Sequence, residues 1–469
     1  MEESSGYKVI LVCALGLAGL AALLSSHNRC RNSFLLFIAT LGLGYRTLPV
    51  THDFRIQPAE ILILLALLLS PLFQQSVSRP NRDPKLPLCF WILLPFLFLT
   101  WIPRTGNGVA WDMQLDECRN LFLVVPIFLV TQQVLTQSSE WRPVIRCFYA
   151  TGTAVALLGL LEYYVPSVRN ALPGFVTNVE GLDTEGGFRR AAFSFYGGAI
   201  GVFVCMYSLP LSMVLWRWQP GLLWRLATVA AGLAQLMAVY ISGYRSMWLL
   251  TGICVFLLTL KSRSFLLTGL LVLGGFVGQE YVSKPAQSRL ESLAKILEGN
   301  AEDSSGIKRQ ERIQEAFQNA LDNPLGGGFG FSGWVHSDFL QISANLGLIP
   351  GFALILGYLY TLFQVGKRML LRGLPATHAA LGFPLFLSFV VAGQMLAVQG
   401  VEFHSFTIMP VWLVWALCYV WLEQTAPYAT QARSLVAEKR GLLARSGSGA
   451  RRVRPMASLI PLRAANGVL

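Results

Sequence analysis

Residues 347–366 read GLIPGFALILGYLYTLFQVG, twenty consecutive residues without a charged side chain, and Lys367 and Arg368 follow directly. A helix needs about 20 apolar residues to cross the hydrocarbon core of a bilayer, so this stretch predicts a membrane-spanning helix. A backbone in lipid has to satisfy its own hydrogen bonds, which a helix does within one segment. If such stretches recur, they predict an all-α transmembrane helix bundle.

Comparable apolar stretches do recur along the chain of 469 residues. Residues of the AVILMFWYC set make up 54% of the sequence and charged residues 13%, well under the quarter of charged residues usual in soluble domains. We predict thirteen spans, at roughly 8–24, 33–50, 58–75, 86–103, 119–135, 145–165, 191–216, 221–241, 246–260, 264–282, 347–366, 378–398 and 405–423. Because Arg46 interrupts 33–50 and 246–260 is short, twelve spans are the alternative.

The distribution of basic residues predicts the orientation. With the C-terminal tail placed in the cytoplasm, the cytoplasmic loops and the tail contain 22 of the 37 Lys and Arg residues. This follows the positive-inside rule and puts the N-terminus outside. Topology therefore explains the net charge of +12, and no nucleic-acid partner is predicted. The eight cysteines show no CxxC spacing and predict neither a disulfide framework nor a metal site.

Four regions follow from this topology. They are an N-terminal transmembrane bundle (1–282), a large extracytoplasmic loop (283–346), C-terminal transmembrane helices (347–424) and a basic cytoplasmic tail (425–469). The tail is polar and is predicted to be mobile, with its cationic residues beside anionic lipid headgroups.

The large loop contains two stretches with helical periodicity. The first, 286–300, predicts a helix that lies at the membrane interface. The second, Ile307–Asp322, repeats apolar residues with helical spacing, and Pro324 is expected to end it. Its apolar positions are Ile313, Ala316, Phe317, Ala320 and Leu321.

Two arginines lie on the second predicted helix. Arg309 and Arg312 come four residues before Ile313 and Ala316, so both border the apolar stripe. They are candidates for binding an anionic substrate. The alternative is that they reach lipid phosphates or pair with neighbouring glutamates.

A glycine-containing segment, Leu325–Asp338, follows that helix. Glycines let backbone N–H groups approach an anion closely, although a flexible loop is the alternative. His336 precedes a short predicted helix, Asp338–Leu346, and is a candidate general base at the membrane boundary. The alternative is an interfacial side chain that only forms hydrogen bonds.

Further arginines lie at predicted outer boundaries. Arg245, in Ser242–Ser246, and Arg190, before the span that begins at Ala191, are candidates for binding an anion, because an arginine this near the bilayer is costly without a partner. Glu402 and His404 are held in reserve as a second outer pair. No HExxH, EF-hand or DxD pattern appears in the outer loops, so neither a metal nor another cofactor is predicted.

Taken in order, these elements resemble the O-antigen ligase and polymerase superfamily. Arg190–Phe193 is similar to an Arg-x-x-Gly-x-Phe pattern, with Ala192 in place of the usual glycine, and Ser242–Ser246 is similar to a Ser-x-Ser-Arg-x segment. Arg309 and Arg312 precede Asn323–Gly330 as in the family's loop. His336–Gln341 followed by Leu346–Gly351 resembles the signature His-Asn-x-x-Leu-x6-Gly-hydrophobic-x-Gly. The resemblance covers roughly residues 188–365.

The resemblance implies a membrane glycosyltransferase of the bacterial inner membrane with its active site on the outer face. An acceptor hydroxyl, on a glycan or a lipid, would attack a sugar carried on a polyprenyl diphosphate. Arg190, Arg245, Arg309 and Arg312 would bind the diphosphate, since guanidinium groups donate paired hydrogen bonds to phosphate. His336 would position or deprotonate the acceptor hydroxyl. The resemblance does not distinguish a ligase from a polymerase.

A transporter of a small anion such as bicarbonate is the rival function, because some relatives of the superfamily have been discussed in that role. A transporter predicts ionisable residues deep in its spans and discontinuous helices near the midplane. The sequence instead gathers charged residues at the outer boundary. A purely structural or assembly role is the third alternative.

Overall fold

The structure, a computed structural model, describes residues 28–41, 48–49, 55–76, 85–101, 118–165, 201–242, 245–262, 304–328, 335, 337–371, 373–399 and 405–447. These residues form an all-α bundle with one two-residue antiparallel pair, β1 (Leu48–Pro49) with β2 (Arg55–Ile56). The helices of the first half are α1 (Arg29–Thr40), α2 (Pro58–Ser76), α3 (Leu88–Trp101), α4 (Val124–Val134), α5 (Trp141–Tyr164), α6 (Gly201–Ser208), α7 (Ser212–Trp218) and α8 (Leu222–Ser242). Those of the second half are α9 (Arg245–Ser262), α10 (Ser304–Asp322), α11 (Asp338–Leu346), α12 (Leu348–Met369), α13 (Ala376–Gln394) and α14 (Ser405–Gly447).

The predicted transmembrane character is confirmed. Within the described ranges, five helical segments are long and apolar enough to cross a membrane: Ser138–Tyr164, Gly201–Trp218, Leu222–Ser242, Leu348–Met369 and Ala376–Ala397. Shorter apolar helices accompany them at Pro58–Ser70, Leu88–Leu97, Cys118–Val134 and Met247–Leu257. The predicted spans at 8–24 and 264–282 lie outside the described residues.

The prediction of a helical span at 33–50 is wrong. Helix α1 ends at Thr40, whose hydroxyl donates to the carbonyl oxygens of Leu36 and Phe37 at 3.0 and 2.9 Å. Leu48 and Pro49 belong to strand β1. With 12 residues, α1 is about 18 Å long, which is too short for a hydrocarbon core of about 30 Å.

One end of the bundle is held together by a hydrogen-bond hub at Gln424. Its Oε1 accepts a hydrogen bond from Nε1 of Trp141 at 2.8 Å and lies 2.9 Å from Nε2 of His378. Its amide donates to the carbonyl oxygen of Leu135. Further contacts at this end join Arg31 to Glu140 and Arg368 to Leu422 and Thr425. Residues predicted to share the cytoplasmic side therefore meet at a single end.

Helix α11 doubles back along α12. Ser343 packs against Gly351, because a Cβ on this glycine would lie 1.9 Å from the Ser343 Oγ. Further along the pair, the Phe339 and Tyr358 ring centroids are 6.0 Å apart. Tyr358 is ten residues into α12, or about 15 Å along it, roughly half of the hydrocarbon thickness. The N-terminal end of α11 therefore reaches the middle of the bundle, whereas the prediction had placed this helix at the outer boundary.

Aromatic packing fixes the depth at which α11 begins. The Tyr358 hydroxyl donates to the carbonyl oxygen of Phe389 at 2.9 Å, and the Ser388 hydroxyl donates to that of Tyr207 at 2.7 Å. The Trp415 ring lies 5.8 Å from Tyr358 and 5.6 Å from Phe389. Helices α6, α12, α13 and α14 thus share one mid-depth layer, and α11 begins in it.

Helix α14 continues well past the predicted span at 405–423. It has 43 residues and contains Pro410 and Pro427. Residues 425–447, predicted as part of a mobile tail, are therefore helical.

Candidate functional site

The helix that carries the predicted arginines is confirmed. Helix α10 runs from Ser304 to Asp322, so it begins three residues before the predicted start and ends at the predicted residue, next to Pro324. Ala316 and Ala320 are buried where α10 packs on α11. Their small side chains allow the two helices to approach closely.

The large apolar residues of α10 point outward instead of into the protein. Phe317 is 53% exposed and Leu321 48%, and Leu325 just beyond the helix is 66% exposed. The Leu348 N–H donates to the carbonyl oxygen of Pro324 at 3.0 Å, so this surface adjoins the start of α12. The exposed side chains of α12, such as Phe352, continue it down a helix long enough to span the membrane. Helix α10 therefore lies at the edge of the bilayer, with its apolar face toward lipid.

Spin labels on α10 test this placement. Labels at Phe317→Cys and Leu321→Cys are expected to collide with oxygen more than with a water-soluble nickel complex, because oxygen partitions into lipid. Labels at Gln314→Cys and Gln318→Cys, on the exposed polar face, are the matched controls and should show the reverse. Electron paramagnetic resonance in lipid nanodiscs measures both collision rates. Equal nickel accessibility at all four positions would contradict the placement.

Two glycines of the glycine segment, Gly327 and Gly328, bind the end of α11. The N–H groups of Gly327 and Gly328 donate to the carbonyl oxygens of Ala344 and Asn345 at 2.8 and 2.9 Å, and the Gly326 N–H donates to Asn323 at 2.8 Å. These carbonyl groups lie in the last turn of α11, where a helix has no partners of its own for them. The suggestion that these three amides bind an anion is therefore wrong, because each is used inside the fold.

Two glycines let the backbones cross at this point. Gly326 has φ +89°, and a Cβ there would lie 2.5 Å from the carbonyl oxygen of Asn345. Gly347 has φ +110°, and its Cβ would lie 2.8 Å from the carbonyl oxygen of Pro324. Both the left-handed backbone and the close approach require glycine. The loop 323–328 and the turn between α11 and α12 are thus locked against each other.

The predicted site residues do not all lie in the described part of the chain. Arg312 is exposed on α10, beside an open depression of about 790 Å³ whose other lining residues are Glu311, Gln314, Glu315 and Gln318. Arg309 lies on the same helix one turn earlier, and only its backbone is among the described atoms. Arg190 and His336 lie outside the described residues, although the flanking residues Val335 and Ser337 are buried.

Arg245 is the first residue of α9, and its side chain also lies outside the description. Trp248, in the first turn of α9, donates from Nε1 to the carbonyl oxygens of Val239 and Tyr240, both at 3.1 Å. The Trp248 and Tyr240 rings stack with centroids 5.5 Å apart. These contacts tie the beginning of α9 to the end of α8. The structure brings α10, the glycine segment and α11 together; Arg245 belongs to a separate helix pair.

A buried polar face on α11 was not predicted. Asp338, Gln341 and Asn345 are 0%, 5% and 1% exposed, and their spacing of three and four residues puts them on one face of the helix. That spacing is visible in the sequence. What the sequence did not show is that α11 is enclosed, so that these side chains are buried instead of facing water. Ser337 is the N-cap residue, but its side chain makes no capping hydrogen bond.

A buried ion pair was also missed. The Arg119 Nε lies 3.5 Å from Oε2 of Glu60, and the Glu60 side chain is 2% exposed. The pair joins the start of α2 to the helical turn before α4. Trp412 Nε1 donates to the neighbouring carbonyl oxygen of Asn120 at 3.3 Å, which ties α14 to the same end. Charged residues at this end are therefore not confined to exposed loops.

Within the described ranges, no group of three or more His, Cys, Asp and Glu side chains is placed to hold a metal ion. Comparison of the sequence with protein-family models gave no match, and a search of curated proteins gave none either.

Proposed function

We propose that the chain is a membrane glycosyltransferase that moves a glycan from a polyprenyl-diphosphate carrier to an acceptor hydroxyl. The observation that carries this proposal is the unit formed by α10, the glycine segment and α11. Three sequence elements that resemble the O-antigen ligase and polymerase superfamily pack together there, and the unit adjoins a lipid-facing surface. A lipid-linked donor needs such a place, because its chain stays in the bilayer while its diphosphate stays in water.

The residues have distinct roles in this proposal. Negative charge grows on the leaving diphosphate during transfer, and arginines stabilise it because they stay charged and donate paired hydrogen bonds. Arg312 and Arg309 lie on helix α10, and Arg312 is exposed there. Arg190 and Arg245 complete the set. Losing one such donor is expected to cost about 10²–10³ in rate.

His336 acts on the acceptor in the same proposal. It lies between Val335 and Ser337, the N-cap residue of α11, so it is two residues before the helix in the sequence. As a general base it would take the proton of the attacking hydroxyl. The active site then belongs to the outer face of a bacterial inner membrane, with the C-terminus in the cytoplasm. The acceptor is a glycan or a lipid, and a polymerase of the same superfamily is the closest variant.

One structural observation favours the rival function. A short helix whose N-terminal end lies at mid-depth in the bundle, as that of α11 does, is typical of transporters, whose half-helix N-termini bind anionic substrates. In α11, however, Asp338 occupies the first turn and is buried. Its carboxyl group already occupies the positive end of the helix dipole, which is the place that an anionic substrate takes in such transporters. The carboxyl group at this position therefore favours glycan transfer over transport of bicarbonate or another small anion.

Reconstitution in liposomes tests the proposed function. The purified protein is supplied with a polyprenyl-diphosphate glycan and candidate glycan or lipid acceptors, and transfer is followed by mass spectrometry of the products. The same liposomes, loaded with a pH-sensitive dye, report bicarbonate flux. We expect transfer without flux. Flux without transfer to any acceptor would replace the proposal with the transporter.

A further inference from the structure

Three buried polar atoms on α11 and on neighbouring helices have no hydrogen-bond partner within the described part of the chain. The first is the fully buried hydroxyl of Tyr207, whose side chain interacts electrostatically with Asp338. Oε1 of Gln341 is likewise buried without a partner. A third such atom is Oε1 of Gln394, the last residue of α13. Leaving such groups unpaired in a low-dielectric interior costs free energy. We therefore expect a bound ligand to supply the missing hydrogen bonds.

The elements around these groups converge. Residues Met395–Gln399 continue α13 as a π-helical turn, and this turn packs on α11. Such turns are rare inside helices and are frequent at functional sites. Asn345 lies at the outer end of the polar face, Gln341 one turn deeper, and Asp338 at mid-depth. The polar groups therefore form a row that leads from the outer boundary to the centre of the bundle.

The chemistry of this row of polar groups restricts the class of ligand that it can bind. Amide and carboxylate oxygens accept hydrogen bonds, and two of the unpartnered atoms are amide oxygens. A complementary ligand has to donate hydrogen bonds. A neutral molecule with several hydroxyl groups meets this condition.

We infer that the face of α11 formed by Asp338, Gln341 and Asn345, together with Tyr207 and Gln394, is a binding pocket for the hydroxyl groups of a neutral sugar. The identification of this sugar as the acceptor rests on the proposed function. The diphosphate of the donor then stays with the arginines, and the uncharged acceptor ring binds at the polar face of α11. His336, two residues before Asp338, lies between the two groups along the chain.

Thiol labelling tests the pocket without requiring transfer. An Asn345→Cys variant places a reporter on the polar face and leaves Asp338 and Gln341 intact. Ala344→Cys is the matched control, because Ala344 is equally buried, lies next in sequence and also accepts a glycine hydrogen bond. The variants are checked by size-exclusion chromatography in detergent, placed in lipid nanodiscs and treated with a small methanethiosulfonate reagent. The cysteines of the described residues are buried or half-buried, and the parent protein gives the background rate.

We expect Asn345→Cys to react at least about tenfold faster than Ala344→Cys, because thiolate forms far less readily in an apolar environment. Glucose, galactose and N-acetylglucosamine are then added separately. At a concentration equal to its Kd, a bound sugar should slow the reaction about twofold. Adding Gln341→Leu to the reporter variant should remove this protection.

Each other outcome is informative. Equal, slow labelling at both positions means that the face is sealed, which overturns the inference. Protection by sodium chloride but by none of the sugars would identify a cation site instead and would also overturn it. If Asn345→Cys does not fold, Gln341→Cys against Ile342→Cys gives the same comparison of reactivity. Sugar protection without transfer in the liposome assay would refute the proposed function and leave the pocket in place.

Discussion

The His336→Ala variant is expected to transfer glycan about 10²–10⁴-fold more slowly than the parent protein, the range typical for losing a general base. The acceptor hydroxyl is a weak nucleophile until its proton is removed, and the proposal gives this task to His336. Initial rates in liposomes, at saturating donor and acceptor, measure the effect. The loss should appear in kcat and not in the KM for the donor, because the arginines that bind the diphosphate are unchanged.

A second histidine provides the control. His378 lies at the end of the bundle that is held by Gln424, where Nε2 is 2.9 Å from Oε1 of Gln424. Glutamine retains a side-chain N–H group, so His378→Gln should fold and transfer glycan at nearly the parent rate. If His336→Ala keeps full activity, or if both variants lose it equally, His336 is not the base.

The Gly326→Ala variant is expected to lose about 3–5 kcal/mol of folding free energy, near the upper end of single-substitution effects. The positive φ alone costs a non-glycine residue about 1–2 kcal/mol. The larger part comes from the new Cβ, which would lie 2.5 Å from the carbonyl oxygen of Asn345. Because that oxygen belongs to a backbone held by Gly328, it cannot move away without breaking the lock between the loop and α11.

Gly328→Ala is the matched control for this substitution. Gly328 has a similar φ of +95°, yet nothing lies within 4 Å of the position its Cβ would take. This variant should lose only the conformational part, about 1–2 kcal/mol. Unfolding in detergent with increasing denaturant, followed by the elution profile in size-exclusion chromatography, compares the free energies of unfolding of the two variants. Equal stability of both variants would mean that the backbones do not cross as closely as described.

Local signals in the sequence predicted some of this unit well. Pro324 and the apolar repeat located the end of α10, and the predicted bounds of α11, Asp338 to Leu346, match the structure. Both depend on interactions within a few residues: a proline that disfavours helix before it and periodic apolar side chains. A search for periodicity finds such elements without knowledge of their neighbours.

The placement of these elements depends on distant contacts and was not predicted. Whether α11 lies in a loop or doubles back is decided by the φ of Gly347 and by the fit of Ser343 on Gly351. The two faces of the α10 stripe differ for a similar reason. Ala316 and Ala320 are small enough to face a neighbouring helix, whereas Phe317 and Leu321 face lipid, and periodicity alone does not separate the two environments.

The error at 33–50 has another physical origin. Apolar composition measures how favourable it is to bury a segment, but it does not state the backbone conformation. A 12-residue helix followed by a strand at Leu48–Pro49 has the same composition as a continuous span. The glycine amides show the same limit at atomic scale, since a run of glycines fits anion binding and helix capping equally well.

The most direct test of the proposed chemistry is a cryo-electron microscopy structure of the protein in lipid nanodiscs with a polyprenyl diphosphate bound. We expect diphosphate density at the outer edge of α10, within about 3 Å of guanidinium groups from at least two of Arg190, Arg245, Arg309 and Arg312, with the His336 ring facing the same cavity. Diphosphate bound elsewhere, with these arginines on separate surfaces and His336 turned away from it, would contradict the account.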